Sequence, residues 1–168
     1  MSDINPNNLL TKILKWLEEE KVYEITTWKN PKAYFSFYVK SKGNRKVPPI
    51  FISYPQNYKI KEVLIFGFSW ELEEIDKKAF RAIKDENLKI QLFQSIDQKI
   101  KKHAQYEIVG NLKNLEGISV YRYVNINQLT KRKVIQNLVK FVLAWGILMN
   151  EFKNYGMHGG SFNPSEHI

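Results

Sequence analysis

The succession of hydrophobic periods predicts an α+β fold, a mainly antiparallel sheet with three packed helices in the order αββββαββα. Three observations carry that expectation. Leu10, Ile13, Leu14 and Leu17 recur at helical spacing near the start of the chain, with Leu9 and Trp16 widening the stripe. Between Val22 and Trp70 the period drops to two in four successive segments. After Thr130 a long, almost wholly apolar stretch returns to helical spacing.

Each element has a local signal. Pro6 with Asn7 or Asn8 starts the first helix, which ends in Glu18, Glu19 and Glu20, where the helix dipole disfavours anions and Lys21 offsets part of the charge. Val22–Trp28, Ala33–Lys40, Ile50–Tyr54 and Glu62–Trp70 are rich in β-branched and aromatic residues. Asn30-Pro31, Lys42-Gly43-Asn44 and Pro55-Gln56-Asn57 supply turn chemistry between them, so an antiparallel meander is the natural reading. Asp76 is suited to cap a second helix running towards His103, with Phe80, Ile83, Ile90, Phe93, Ile96 and Ile100 on its apolar face and a kink invited by Asp85-Glu86-Asn87. Tyr106–Gly110 and Ile118–Ile126 read as two more strands around the turn-prone stretch from Asn111 to Gly117, and Thr130 caps a third helix running to about Phe152. The expected core includes Ile13, Leu17, Phe66, Phe93, Ile96, Leu138, Val142 and Trp145.

A chain of 168 residues makes one ordinary domain, able to bury about two-thirds of the surface its unfolded form exposes. Residues 1–153 are expected to form that domain and residues 154–168, without a period, a tail. With no cysteine, disulfides, thiolate metal sites and thiol nucleophiles are excluded, and the redox compartment is left open. Met1–Asn8 is short and polar, unlike a secretory signal, and the longest apolar run, Phe141–Met149, is far below the roughly 20 residues of a spanning helix. A soluble, cytoplasmic protein is the expectation. The net charge of +9 favours acidic partners, which is a statement about association and not about fold.

That succession of elements, with a terminal helix packed on one sheet, resembles the type III secretion chaperone-like fold, including the bacterial YbjN-type proteins and archaeal families of unknown function. The resemblance spans nearly the whole chain and rests on element order, so no residue roles are carried over with it. It implies an interaction role, since members of that group commonly dimerise and bind a segment of another protein. Secretion chaperones are typically acidic, whereas this chain is strongly basic.

No catalytic constellation emerges. His103 is the histidine within the helical and strand pattern, and it follows Lys101 and Lys102 where cations complement a helix C-terminus. Gly67-Phe68-Ser69-Trp70-Glu71 resembles a nucleophile elbow, but its fifth position is Glu71 where the sharp turn needs glycine. Glu71, Glu73, Glu74 and Asp76 offer carboxylates for a divalent ion or acid–base work, yet negative charge leading into a helix stabilises it without any ligand. His158-Gly159-Gly160-Ser161 lacks the strand and helix a phosphate cradle needs. The expectation is therefore a protein without enzymatic activity, cofactor or metal.

Two surfaces stand out. Lys99, Lys101 and Lys102 end the second helix, while Lys131, Arg132 and Lys133 open the third against its dipole, at a cost of about a few tenths of a kcal/mol each. An acidic ligand would account for that placement, as would plain solvation of an exposed turn. Tyr34, Phe35, Phe37, Tyr38, Tyr121 and Tyr123 beside basic charge suit stacking on single-stranded nucleic acid, although alternation puts Phe35 and Phe37 on one face with Val39 and Tyr34 with Tyr38 on the other, so that half of them are expected in the core. The other surface is apolar. From Leu138 to Met149 only Lys140 and Gly146 interrupt the third helix, so one sheet face cannot cover it. The first helix, the second helix, the tail or a second copy of the chain would supply the cover, and Phe141, Trp145, Leu148, Met149 and Phe152 form the candidate interface. A chaperone-like or protein-interaction module, with a homodimer among the partners, is the leading expectation; a basic nucleic-acid-binding protein is the alternative.

Overall fold

Asn5 opens the first helix, upstream of the expected start: its side-chain oxygen accepts the N–H groups of Asn7 (2.9 Å) and Asn8 (3.3 Å). Pro6 takes the first helical position, where a missing N–H costs nothing. The computed structural model describes residues 4–43, 46–56 and 62–157. Its elements are α1 (Pro6–Glu19), β1 (Tyr23–Thr27), β2 (Ala33–Ser41), β3 (Ile50–Pro55), β4 (Val63–Glu71), α2 (Glu74–Ala82), α3 (Glu86–Ile100), β5 (Gln105–Gly110), β6 (Leu115–Asn125), a 3-10 turn (Ile126–Gln128) and α4 (Lys131–Asn154).

The described chain therefore has four helices where three were expected, in the order αββββααββα. The expected second helix is broken in two. Ile83 leaves the helical region at ψ 103°, and Asp85 then accepts the N–H of Asn87 at 2.9 Å as the cap of a new helix. The acid–Asn cluster expected to kink one helix starts another. Because the phase restarts, Ile90 faces solvent and Ile83 is only half-buried, while Phe80, Phe93, Ile96 and Ile100 stay inside. Asp76 is not the cap either: Glu73 holds that position, and Asp76 lies buried in the first turn of α2.

The described strands hydrogen-bond in the order β1-β2-β3-β4-β6-β5. β1 to β4 form the expected antiparallel meander, with Phe37 opposite Ile52 and Ile52 opposite Phe66. β5 and β6 form an antiparallel pair. Gly117, expected in the turn between them, lies inside β6. A Cβ there would come within 2.4 Å of the Trp70 carbonyl oxygen, so this glycine permits a close backbone approach.

By its internal contacts the chain divides into two compact units, Met1–Gly67 with Arg122–Val139 and Phe68–Tyr121 with Lys140–Ile168. In the first, α1 lies against β2. Leu9, Ile13 and Leu17 are buried on the helix, and Phe35, Phe37 and Val39 on the strand, while Tyr34 is exposed, as alternation requires. Trp28 packs at a tilt on Tyr38 and Phe51, at 5.3 and 5.9 Å between centroids, and its carbonyl accepts the Ser36 hydroxyl at 2.7 Å. Thr130 caps α4 as expected, its hydroxyl accepting the Lys133 N–H at 3.2 Å.

The second unit is organised by aromatic rings. Phe68 meets Phe141 and Trp145 edge-on, and Trp70 meets Trp145 and Phe152 edge-on at 5.5 and 5.0 Å. Such pairs add to the area they bury. Phe80 and Phe93 tie α2 to α3 at 6.2 Å. α4 ends in a Schellman turn: the Gly156 N–H bonds the Lys153 carbonyl, the Met157 N–H bonds the Phe152 carbonyl, and Gly156 adopts φ +80°. Met157, expected in a tail, is buried. The rest of that expected tail, including His158-Gly159-Gly160-Ser161 and His167, lies outside the described residues. Of the expected core, Ile13, Leu17, Phe66, Phe93, Ile96, Leu138 and Trp145 are buried and Val142 is exposed.

Candidate interaction surface

The charges singled out in the sequence divide between internal ion pairs and exposed positions. Lys131 sits within 3.0 Å of Glu19 and 2.8 Å of Glu20, so the acidic end of α1 and the basic start of α4, each unfavourable for its own helix dipole, neutralise each other. The hydrogen bonds it donates to the Glu20 and Glu19 carboxylates hold the Lys131 ammonium above its ordinary pKa. Lys133 reaches Gln128 at 3.4 Å, and Arg132 is exposed. Lys99, Lys101 and Lys102 belong to the other unit. Lys99 pairs with Glu151, whereas Lys101 and Lys102 are exposed in the turn after α3.

Glu151 is 3 % exposed and also accepts the Ser95 hydroxyl at 2.8 Å. Burial pushes its carboxyl up, but the Lys99 ammonium and the Ser95 hydroxyl outweigh that and hold it below the usual carboxylate range. The carboxylates leading into α2 face a cation of the chain itself. Lys77, nearly buried, lies 3.0 Å from Glu116, 3.4 Å from Glu74 and 3.7 Å from Glu71. The hydrogen bond to Glu116 raises the Lys77 pKa and lowers that of Glu116. Among the described residues no group of His, Asp and Glu has the arrangement to hold a metal ion.

Ser69 is no elbow. It lies in β4, 3.0 Å from the Ser119 hydroxyl on the neighbouring strand. His103 is half-exposed in the turn after α3. A groove of about 780 Å³ at the end of α3 and the start of β5 is lined by Ile100, Ala104 and Ile108 with Asp97, Lys101 and Glu107. Its Tyr106 hydroxyl is committed to the Phe93 carbonyl at 3.2 Å, and burial, then the Asp97 charge, raises its pKa. The lining holds no histidine, serine or threonine to serve with these carboxylates as a nucleophile–base pair.

The remaining feature is the solvent side of α4 between Lys140 and Asn154. Phe141, Trp145, Leu148 and Phe152, expected at an interface, are buried within the chain, where three of the four pack on Phe68 and Trp70. Met149 is half-buried. The apolar surface left outside consists of other residues: Val142 is 36 % and Leu143 49 % exposed, Gly146 is exposed and Ile147 half-buried. A Cβ on Gly146 would meet no heavy atom within 4 Å among the described residues, so a notch opens beside Leu143. Lys140 and Asn150, three residues before and seven after Leu143, mark this face in the sequence. That polar pair was the signal available for choosing Leu143 over Trp145.

The chain is similar in fold to the crystal structure of an uncharacterized protein from Methanothermobacter thermautotrophicus, at TM-score 0.73 and 14 % identity, covering 87 % of this chain and 97 % of the other. The likeness is one of fold alone. No family model matches the chain, and no curated protein matches it. Among the described residues no helix is long and apolar enough to cross a membrane.

Proposed function

We propose that this chain is a protein-interaction module without enzymatic activity, working in the cytoplasm and docking its partner on the solvent face of α4. The observation that supports it is the exposure of Val142 and Leu143 beside the Gly146 notch. Clustered apolar side chains on a surface helix cost solvation and are recovered when a partner covers them. A chaperone-like role, holding a segment of another protein, is the finer form of this reading. It also accords with the pairing of Lys99 and Lys131, two of the six candidate cations, inside the chain.

The test uses the full chain and Leu143→Gln, a neutral helix-forming change at an exposed site. A partner captured from the native source by the wild type, rebound as purified protein and lost with Leu143→Gln at unchanged melting temperature, is the expected result. Equal binding by both proteins overturns the reading. Binding to mixed-sequence RNA that falls steeply with salt and ignores Leu143→Gln replaces it with nucleic-acid binding, for which the net charge of +9 is the supporting feature.

A further inference from the structure

We infer that the open edge of β5 pairs with the β5 of a second copy of this chain, across a two-fold axis running through the groove at the end of α3. The inference concerns another element than α4 and stands whether or not that helix docks a partner. Among the described residues β5 is an end strand of the sheet, and its neighbour there is β6. Alternation turns neighbouring strand residues to opposite faces, yet the consecutive residues Gln105, Tyr106, Glu107 and Ile108 all line the groove. The main chain of β5 is therefore the wall of the groove, and its outward N–H and C=O groups have no backbone partner among the described residues. A row of donors and acceptors at that spacing is matched by another extended strand.

Charge and symmetry favour a second copy as the source of that strand. The unit that holds β5 carries 11 Lys and Arg against 11 Asp and Glu, whereas the other carries 15 against 6. The net charge of +9 thus resides in the other unit, and two copies meeting at β5 join neutral units. Asp97 and Lys101, one helical turn apart, both line the groove, and neither is in an ion pair among the described residues. A two-fold axis sets the end of one α3 antiparallel to the other and brings Asp97 of each copy towards Lys101 of its mate. One acid and one base on the same groove are in this way complementary to themselves. The faces of the strand fix the register. Centring the pair on Ile108 sets that residue against its own copy in a groove also lined by Ile100 and Ala104, and sets Glu107 opposite Val109, which is 47 % exposed. Centring it on Glu107 would oppose two carboxylates. A strand from Tyr106 to Gly110 and the adjoining helix ends fall short of the about 800 Å² per partner of a standard interface, so the dimer is one of micromolar affinity.

The chain has no cysteine, so Ile108→Cys introduces a single thiol. Directly opposed antiparallel residues have Cα atoms about 4.5–5.5 Å apart, within the span of a disulfide. Under mild oxidation Ile108→Cys should therefore form a covalent dimer. Val109→Cys, opposite Glu107 in this register, should cross-link at least about tenfold more slowly. Light scattering of the full wild-type chain from about 1 to 300 μM should move from the mass of one chain towards that of two. Asp97→Lys and Lys101→Asp, at exposed positions, should each raise the dimer Kd at least about tenfold with the fold retained by circular dichroism. An equimolar mixture of these two variants should associate again, because one copy then brings two bases and the other two acids. Leu143→Gln should leave self-association as it is, which separates this interface from the α4 face. The inference is overturned by a monomer over the whole range, by equal cross-linking at positions 108 and 109, or by a dimer indifferent to both charge reversals. A mixture of the two reversed variants that stays monomeric, or self-association lost with Leu143→Gln, overturns it equally.

Discussion

The two faces of α4 between Lys140 and Asn154 both carry apolar residues and have opposite fates. Inward lie Phe141, Trp145, Leu148 and Phe152, and outward lie Val142, Leu143, Gly146 and Ile147. Transfer energy per unit area does not separate them. Shape does, because the inward set offers large flat rings to the edges of Phe68 and Trp70 on β4, and the outward set has only short branched chains to offer. This mostly apolar stretch of helix is thus oriented by its aromatic partners, which leaves the shorter apolar side chains outside.

The comparison breaks if the inward rings prove dispensable. Trp145→Ala should cost about 3–5 kcal/mol in denaturant unfolding, since it empties the space between Phe68 and Trp70. A cost near that of a surface change would mean the ring contacts do not set the helix orientation. Next in size is Glu151→Ala, expected to cost about 1–3 kcal/mol by stripping Ser95 and Lys99 of a shared acceptor. Its pH dependence sharpens the point. The Glu151 carboxyl is held below its ordinary 4.5, so its contribution is present above that value and is lost as pH falls through the lower folded-state pKa. Stability profiles of wild type and Glu151→Gln should therefore converge in acid, and parallel profiles would refute the pairing.

The outward face should respond weakly and, at one position, in the opposite direction. Gly146→Ala is expected to stabilise by about 0.5–1 kcal/mol, because the added Cβ meets nothing and a helical glycine gives up backbone entropy. Destabilisation there would show that the notch is already filled within the chain. Leu143→Gln should change stability by no more than about 0.5 kcal/mol, a shift readable by thermal melts alongside the binding assays.

Much of the fold was legible because its signals are local. The meander between Val22 and Trp70 follows from alternation and turn residues, and the Thr130 cap from hydroxyl chemistry. The break at Ile83–Asp85 was visible only as a kink, since an Asp-Glu-Asn cluster caps a new helix or bends an old one by the same side-chain bonds. Gly117 was misplaced for a different reason: a glycine required by a backbone across the sheet is indistinguishable in sequence from one required by a turn. The candidate interface inverted the faces of α4. Periodicity finds a stripe only where polar residues bound it, and between Leu138 and Met149 Lys140 is the one charged marker. The dipole-opposing charges of α1 and α4 were legible singly, but their mutual neutralisation joins residues 112 positions apart.

The place of β6 between β4 and β5 has a temporal consequence. β5 is made first yet pairs with β6, from Gln105 opposite Tyr121 to Gly110 opposite Leu115. On a ribosome the growing chain would carry β5 with no sheet neighbour until about ten further residues emerge, a delay of roughly a second at ordinary elongation rates. The meander β1–β4 and the pair β5–β6 each close through strands that follow one another directly, and such local contacts assemble early, whereas β6 becomes a neighbour of β4 only after α2, α3 and β5 have been made. Pulse-labelling hydrogen exchange during refolding should protect the pairs β2–β3 and β5–β6 before the amides that join β4 to β6, and simultaneous protection would argue that the sheet forms in one step.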